Sequence, residues 1–406
     1  MHTYKTLQHS MVQIDLNAID QNCVAIRRHI GEKCGFCAVV KADGYGLGAV
    51  RVASRLSNYA EMFAVYSPEE AGDLLSVPVI RPLLVLAPVY FIDPSHPIYH
   101  GISQGVVHLV VHDRAHLDSL AAWARHFRMQ INVQLKIDTG LHRGGCPTDE
   151  AASLIESILA DKLFRLTGIM THFISAVHDK ELTVLQHQRV DRVISQLQQP
   201  LPSNCRIHEA NTAATVQWNW SHRDMVRVGL AWTGVVPNGV PPLQGTRPVI
   251  SWRTRIAHVR SVKAGEHVGY SGKWTTKRDS TIGIVPVGYA SGYPMGVGAE
   301  GDRQGAYVRV YDDQFVNALG DAPVVGSVCM DQIAIDLTDI SKTGVGCGIE
   351  LISTDDSSHA TLEKIAHVAR VVPHAILSRI SPKVLRTYSV SEEEVVCIKK
   401  DRRALA

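Results

Sequence analysis

The segment Phe36-Cys37-Ala38-Val39-Val40-Lys41-Ala42-Asp43-Gly44-Tyr45-Gly46-Leu47-Gly48 decides the fold. Its first five residues are apolar without alternation, as expected of a strand covered on both faces. A lysine ends the run, and a glycine-rich turn follows. Upstream, Leu16, Ile19, Cys23, Ile26 and Ile30 recur at the helical period and share one face. Downstream, further apolar runs occupy 62–66, 82–87, 106–111, 131–137, 166–172, 205–208 and 225–231. Amphipathic segments such as 69–75, 114–127, 149–160 and 182–197 separate them. Eight strands with helical connections favour a closed (β/α)8 TIM barrel over an open sheet. Lys41, Asp138, His172, Asn211 and Arg227 fall at or just beyond the C-terminal ends of these runs, where a barrel gathers its chemistry.

The turn-rich segment 237–247 breaks this pattern, and short strands with glycine turns dominate beyond it: 249–262, 266–270, 281–288, 306–311, 323–336 and 348–353. The expected organisation is a barrel over 1–245, a mainly-β domain over 246–388 and a charged, solvated tail over 389–406. Lys and Arg total 41 against 39 Asp and Glu, so no basic surplus points to nucleic acid or an anionic membrane surface. The apolar stretch 77–92 is interrupted by Arg81 and three prolines and is too short to span a bilayer. Residues 1–16 lack the apolar core of a signal peptide. Eight scattered cysteines then suggest reduced thiols and a cytoplasmic protein.

A lysine closing a buried strand is poorly hydrated, which favours its neutral form and suits an amine that condenses with a carbonyl. The same lysine also suits a plain ion pair at a barrel mouth. The glycines at 44, 46 and 48 match neither a dinucleotide-binding nor a phosphate-loop pattern. Cys34-Gly-Phe-Cys37 enters a strand rather than starting a helix, which disfavours redox work. His108, His112 and His116 run from a strand into a helix and make a poor metal set. No metal site is expected.

Val39–Gly48 resembles the pyridoxal-phosphate signature of alanine racemases. The resemblance continues in order through Lys136–Arg143, Thr171–Phe173, Ala210–Ala214 and Val226–Leu230, then Val268–Tyr270, Pro286–Tyr289 and Val325–Gln332. It implies that Lys41 holds pyridoxal 5'-phosphate covalently and works one face of the substrate Cα, with Tyr270 of the partner subunit on the other. It assigns Tyr45, Thr212, Gly229 and Leu230 to the phosphate, with Asn211 in the same motif. His172 and Arg227 would form a network beside the tyrosine, the arginine facing the cofactor ring, and His208 would support that arginine. Arg143, with Met330 and Asp331 of the partner subunit, would complete the substrate site. Lys136 matches a lysine whose carbamylated form orients the arginine.

The implied protein is a homodimer with shared sites, interconverting L- and D-alanine and supplying D-alanine for peptidoglycan. Three positions depart from the family pattern around the access route near Tyr289. Val177 replaces an aspartate, Met295 an arginine, and Pro382 a tyrosine. They leave open a broader racemase acting on serine or lysine. A decarboxylase or lyase of the same fold would not need Tyr270, and a non-catalytic cofactor carrier would not need the β-domain.

Overall fold

The computed structural model describes residues 10–75, 81–390 and 395–397. The chain divides into two compact units. One is Ile19–Thr246, and the other runs from Arg247 onward and includes the N-terminal residues through Ala18.

The first unit is an eight-stranded parallel barrel. Gly35–Val39, Met62–Val65, Leu83–Val85, Val107–Val111, Ile131–Asp138, Phe164–Met170 and Arg206–His208 pair in succession, and Met225–Val228 pairs back onto Gly35–Val39. No ladder joins the last two strands. Two backbone bonds bridge the seam instead, from Asp224 to Ile207 (3.1 Å) and from Arg227 to Ala210 (2.9 Å). The unalternated runs are strands for the reason their composition suggests: every residue of Gly35–Val39, Met62–Val65 and Val107–Val111 is buried. Helices Arg114–Phe127 and Lys180–Ser195 begin at Asp113 and Asp179, whose carboxylates accept the amides of His116 and Leu182. Those side chains satisfy amides that a helix start otherwise leaves unpaired.

Ile131–Asp138 alternates differently from its neighbours. Ile131, Val133, Leu135 and Ile137 are buried apolar residues, while Asn132, Gln134, Lys136 and Asp138 share the other face. Successive side chains on a strand point to opposite faces. One polar row therefore climbs from the N-terminal end of this strand to its C-terminal end.

The second unit is a mainly-β body whose long sheet runs His258–Val262, Ser280–Val285, Ile333–Asp336, Ala318–Val325, Tyr307–Tyr311, Gly348–Ile352, Ile250–Arg255, Met11–Asp15, Leu385–Ser389, Val395–Cys397. Four differences from the sequence reading have clear causes. Met11–Asp15, placed there in the barrel, lies between Ile250–Arg255 and Leu385–Ser389 and belongs to this unit. The expected strand 249–262 divides because the chain changes partners, Ile256 donating to Cys347 and Ala257 to Ile284. The expected strand 323–336 is interrupted after Val325 by Gly326 at φ 67°, and the resulting loop carries Met330. Within the expected solvated tail, Val395–Cys397 forms a strand that pairs antiparallel with Leu385–Ser389. The rest of the tail beyond Val390, and residues 77–80 of the apolar stretch, lie outside the described residues. No described helix is long and apolar enough to cross a membrane.

Candidate active site

Val40 donates to Ala64 O on the neighbouring strand (2.9 Å) and leads directly into Lys41. The turn that follows is left-handed, with φ at 54° for Ala42 and Asp43, 62° for Gly44 and 56° for Tyr45. An L-residue in this region carries a penalty of about 1–2 kcal/mol, and three of these four have a Cβ. Several bonds hold the turn. Gly44 donates to Val40 O (2.8 Å), Gly46 to Ala42 O (2.7 Å) and Ala49 to the Asp43 carboxylate (2.8 Å). The Lys41 amine is held below its ordinary proton affinity, first by burial and then by the Arg143 guanidinium, with Glu70 opposing. It is therefore easier to deprotonate than a surface lysine.

Behind it lies a buried donor–acceptor network centred on Arg227, which is 4% exposed. One terminal nitrogen, Nη1, donates to His208 O (2.8 Å) and His208 Nδ1 (3.1 Å). The other, Nη2, donates to Thr171 O (2.6 Å), His172 Nδ1 (3.2 Å) and Glu209 O (3.3 Å). A guanidinium has no acceptor, so both histidines must present a bare Nδ1 and carry their proton on Nε2. His208 Nε2 then donates to Gln134 Oε1 (2.9 Å). Both histidines are pushed well below their ordinary range, His208 by burial and Arg227, His172 by burial and by Arg227, Arg143, Lys136 and Lys41. Burial lowers Arg227 only to about 10. At neutral pH the centre is a charged arginine between two neutral imidazoles.

The polar row of Ile131–Asp138 supplies more of the site. Gln134 is fully buried and was not anticipated, although the polar alternation 132, 134, 136, 138 carried the signal. Lys136 is lowered to about 8 by burial and by Arg143 and Arg227. Arg143 is exposed but acts on Lys41, Lys136 and His172 alike. The structure thus gathers Lys41, Lys136, Arg143, His172, His208 and Arg227 at the C-terminal ends of the barrel strands.

A small cradle adjoins them. A Cβ on Gly229 would come within 2.1 Å of the Tyr45 hydroxyl, so glycine alone permits this approach. The Gly229 amide meets Thr212 Oγ1 at 3.3 Å, and Asn211 caps the short helix Thr212–Gln217 through the Ala214 amide (3.1 Å). Leu230 opens the next turn. Two hydroxyls and backbone amides beside a glycine suit a phosphate group, and a nearby amine of reduced proton affinity suits a carbonyl partner. The residues fit pyridoxal phosphate. Val177, at the loop following His172, is 3.1 Å from where a Gly239 Cβ would stand.

In the second unit the expected residues sit on interlocked loops. Tyr270 starts a 3-10 turn rather than ending a strand, and it is 71% exposed. Its carbonyl accepts from the Ser327 hydroxyl (3.2 Å). Tyr289 donates its amide to Cys329 O (3.1 Å), and Ala290 donates to Met330 O (2.9 Å). Ser381 donates to Ser291 O (3.0 Å), which brings the Pro382 segment alongside. Tyr289, Met295, Met330, Asp331 and Pro382 are all exposed. The loops bring Tyr270, Tyr289, Met330, Asp331 and Pro382 into one surface region of this unit.

The remaining candidates have structural surroundings. Cys34 and Cys37 are buried and their thiols are pushed up to about 11 and about 12. His108 bonds Thr167 and Asn132 inside the barrel, and His112 stacks on His116.

Comparison with known proteins places this arrangement. Residues 14–237 match the model of the alanine racemase N-terminal domain, and residues 249–388 match that of the C-terminal domain. The chain is 32% identical over 391 residues to alanine racemase 2 of Oceanobacillus iheyensis, covering 94% of each. It superposes with a TM-score of 0.81 and 28% identity on the alanine racemase of Streptomyces lavendulae, covering 95% of this chain and 98% of that one. An alanine racemase of Bartonella henselae, described with covalently bound pyridoxal phosphate, matches at a TM-score of 0.78 and 25% identity over 94% and 99%. With both domain models matched in order along one chain, this protein belongs to the alanine racemase family.

Proposed function

We propose that the protein is a pyridoxal-phosphate-dependent racemase that interconverts L- and D-alanine as a cytoplasmic homodimer, supplying D-alanine for peptidoglycan. The observation that carries this reading is the Lys41 amine beside the Arg227 network, both at the barrel mouth of a family member. Lys41 would hold the cofactor covalently, Tyr45, Thr212, Gly229 and Leu230 its phosphate, and Arg227 its ring. The cofactor supplies an electron sink that acidifies the substrate Cα–H.

The chain's own residues do the rest. The neutral Lys41 amine accepts or returns a proton on one face of Cα. The partner subunit's Tyr270 does so on the other, which racemisation requires. A phenol has an ordinary pKa of about 10, so its anion needs a donor when it acts as base. His172, with Nδ1 engaged by Arg227, carries its proton on Nε2 and can be that donor. Arg143 and the amide of the partner subunit's Met330 hold the substrate carboxylate, the partner's Asp331 completing that side, and Lys136, whose carbamylated form would carry negative charge, orients Arg143. His208 fixes Arg227.

Purified protein should show a long-wavelength absorption band that borohydride bleaches, and should incorporate solvent deuterium at Cα of L-alanine and D-alanine. A band without exchange overturns the racemase reading.

A further inference from the structure

The left-handed turn after Lys41 has a support that comes from another βα unit. Glu70 lies in helix Pro68–Leu75, and its carboxylate spans two backbone amides: Oε1 accepts from Ala42 (2.7 Å) and Oε2 from Tyr66 (2.7 Å). Ala42 immediately follows Lys41, and Tyr66 immediately follows the strand Met62–Val65. Ala42 is also the first residue with positive φ. A single carboxylate therefore ties the start of the strained turn to the C-terminal end of the adjacent strand. Charge-assisted bonds of this kind are short and directional, and two of them from one group fix a plane as well as a distance. The Ser67 hydroxyl in turn receives the Glu70 amide (3.4 Å), so the side chain projects from an anchored helix start.

We propose that Glu70 is a positioning residue for Lys41, holding the left-handed turn against the neighbouring strand and thereby fixing where the Lys41 amine points. The inference rests on Lys41 being the cofactor-bearing amine. Glu70 acts through the backbone of Ala42. Its negative charge has a second effect, because it favours the protonated amine. Burial and the Arg143 guanidinium oppose that effect, and Lys41 in turn bears on His172. Glu70 thus sets both the direction of the amine and part of its proton affinity, and the two effects are separable by substitution.

The test is the rate of pyridoxal phosphate uptake by the cofactor-stripped full chain, followed by absorbance across pH, with circular dichroism and thermal unfolding alongside. Glu70→Gln keeps the side-chain shape and one oxygen acceptor but removes the charge, so the midpoint of the uptake profile should fall. Glu70→Ala removes both bonds, and its uptake should slow about tenfold or more because small misplacements of a reacting group are costly. Glu70→Asp keeps the charge on a shorter arm, so the midpoint should stay nearer wild type while the rate falls.

An unchanged midpoint in Glu70→Gln, or a wild-type uptake rate in folded Glu70→Ala, overturns the proposal. A loss confined to thermal stability overturns it as well. Should Glu70→Ala not fold, the uptake rate of Glu70→Asp decides, and a wild-type rate there overturns the proposal. Wild-type protein that takes up no cofactor sinks the proposed function instead, so the two failures are distinguishable.

Discussion

The two units carry most of their candidate residues in opposite physical states. In the barrel, Arg227 is 4% exposed and makes five hydrogen bonds to neighbours that are themselves held by bonds and burial. In the β unit, Tyr270 is 71% exposed, Met295 68% and Met330 55%, and they stand on loops. The barrel half is preorganised by its own core. The β half presents these side chains on an open surface, which the partner subunit of the proposed dimer would cover. Residues of the first kind should matter to folding and to chemistry together, and residues of the second kind to chemistry alone.

The largest expected effect tests that division directly. Lys41→Ala and Tyr270→Phe should each lower the racemisation rate by at least about 10³-fold, but only Lys41→Ala should abolish the borohydride-sensitive band. Mixing the two inactive proteins under conditions of subunit exchange should restore activity, since a mixed dimer contains one site with both residues. No recovery on mixing would break the idea that the two halves come from different subunits.

Stability should separate the halves next. Arg227→Leu leaves the carbonyls of Thr171, His208 and Glu209 without their donor, and each buried unpaired group costs about 1–3 kcal/mol. A loss on the order of 3 kcal/mol or more is expected in urea unfolding. Tyr270→Phe and Met330→Ala should stay within about 0.5 kcal/mol, as exposed substitutions do. Comparable losses for both sets would erase the contrast.

An effect of similar size concerns acid. Burial holds His108 and His112 at about 4, below the unfolded value of about 6.5. The unfolded chain therefore takes up these protons first. Their contribution is intact above pH 6.5 and is lost as pH falls toward 4, on the order of 3 kcal/mol for each histidine. Urea midpoints measured between pH 7 and 4 should decline, and His108→Gln should flatten the decline.

The smallest concerns specificity. In the proposed site, Val177, Met295 and Pro382 would leave the access route without an Asp–Arg pair and a tyrosine hydroxyl. Serine and lysine should be racemised within about 100-fold of alanine, a span that packing differences in an apolar pocket can produce. Initial rates by chiral chromatography decide it, and a strict alanine preference rejects the wider route.

How much of this was visible in the residues varies with the range of the interaction. Barrel strands such as Gly35–Val39 announce themselves because burial on both faces demands an unbroken apolar run. The polar row Asn132, Gln134, Lys136, Asp138 was equally readable, and Gln134 went unnoticed only because its neighbours are apolar. Glu70 left no such trace. Its partners are backbone amides of Ala42 and Tyr66, which no side-chain pattern marks. The membership of Met11–Asp15 was hidden for a different reason: Met11 stands opposite Arg253 and Leu385, far along the chain.

That last pairing has a consequence for synthesis. At about 5–20 residues per second on the ribosome, Met11–Asp15 emerges roughly 20–75 seconds before Leu385–Ser389 exists to flank it. Ile250–Arg255 can cover one edge of this strand earlier, but the other edge stays open until Leu385–Ser389 is made. A stalled or truncated product would expose that edge permanently. Nascent-chain quality control has a natural handle there, and chains that begin after Asp15 should yield a barrel without a complete β body.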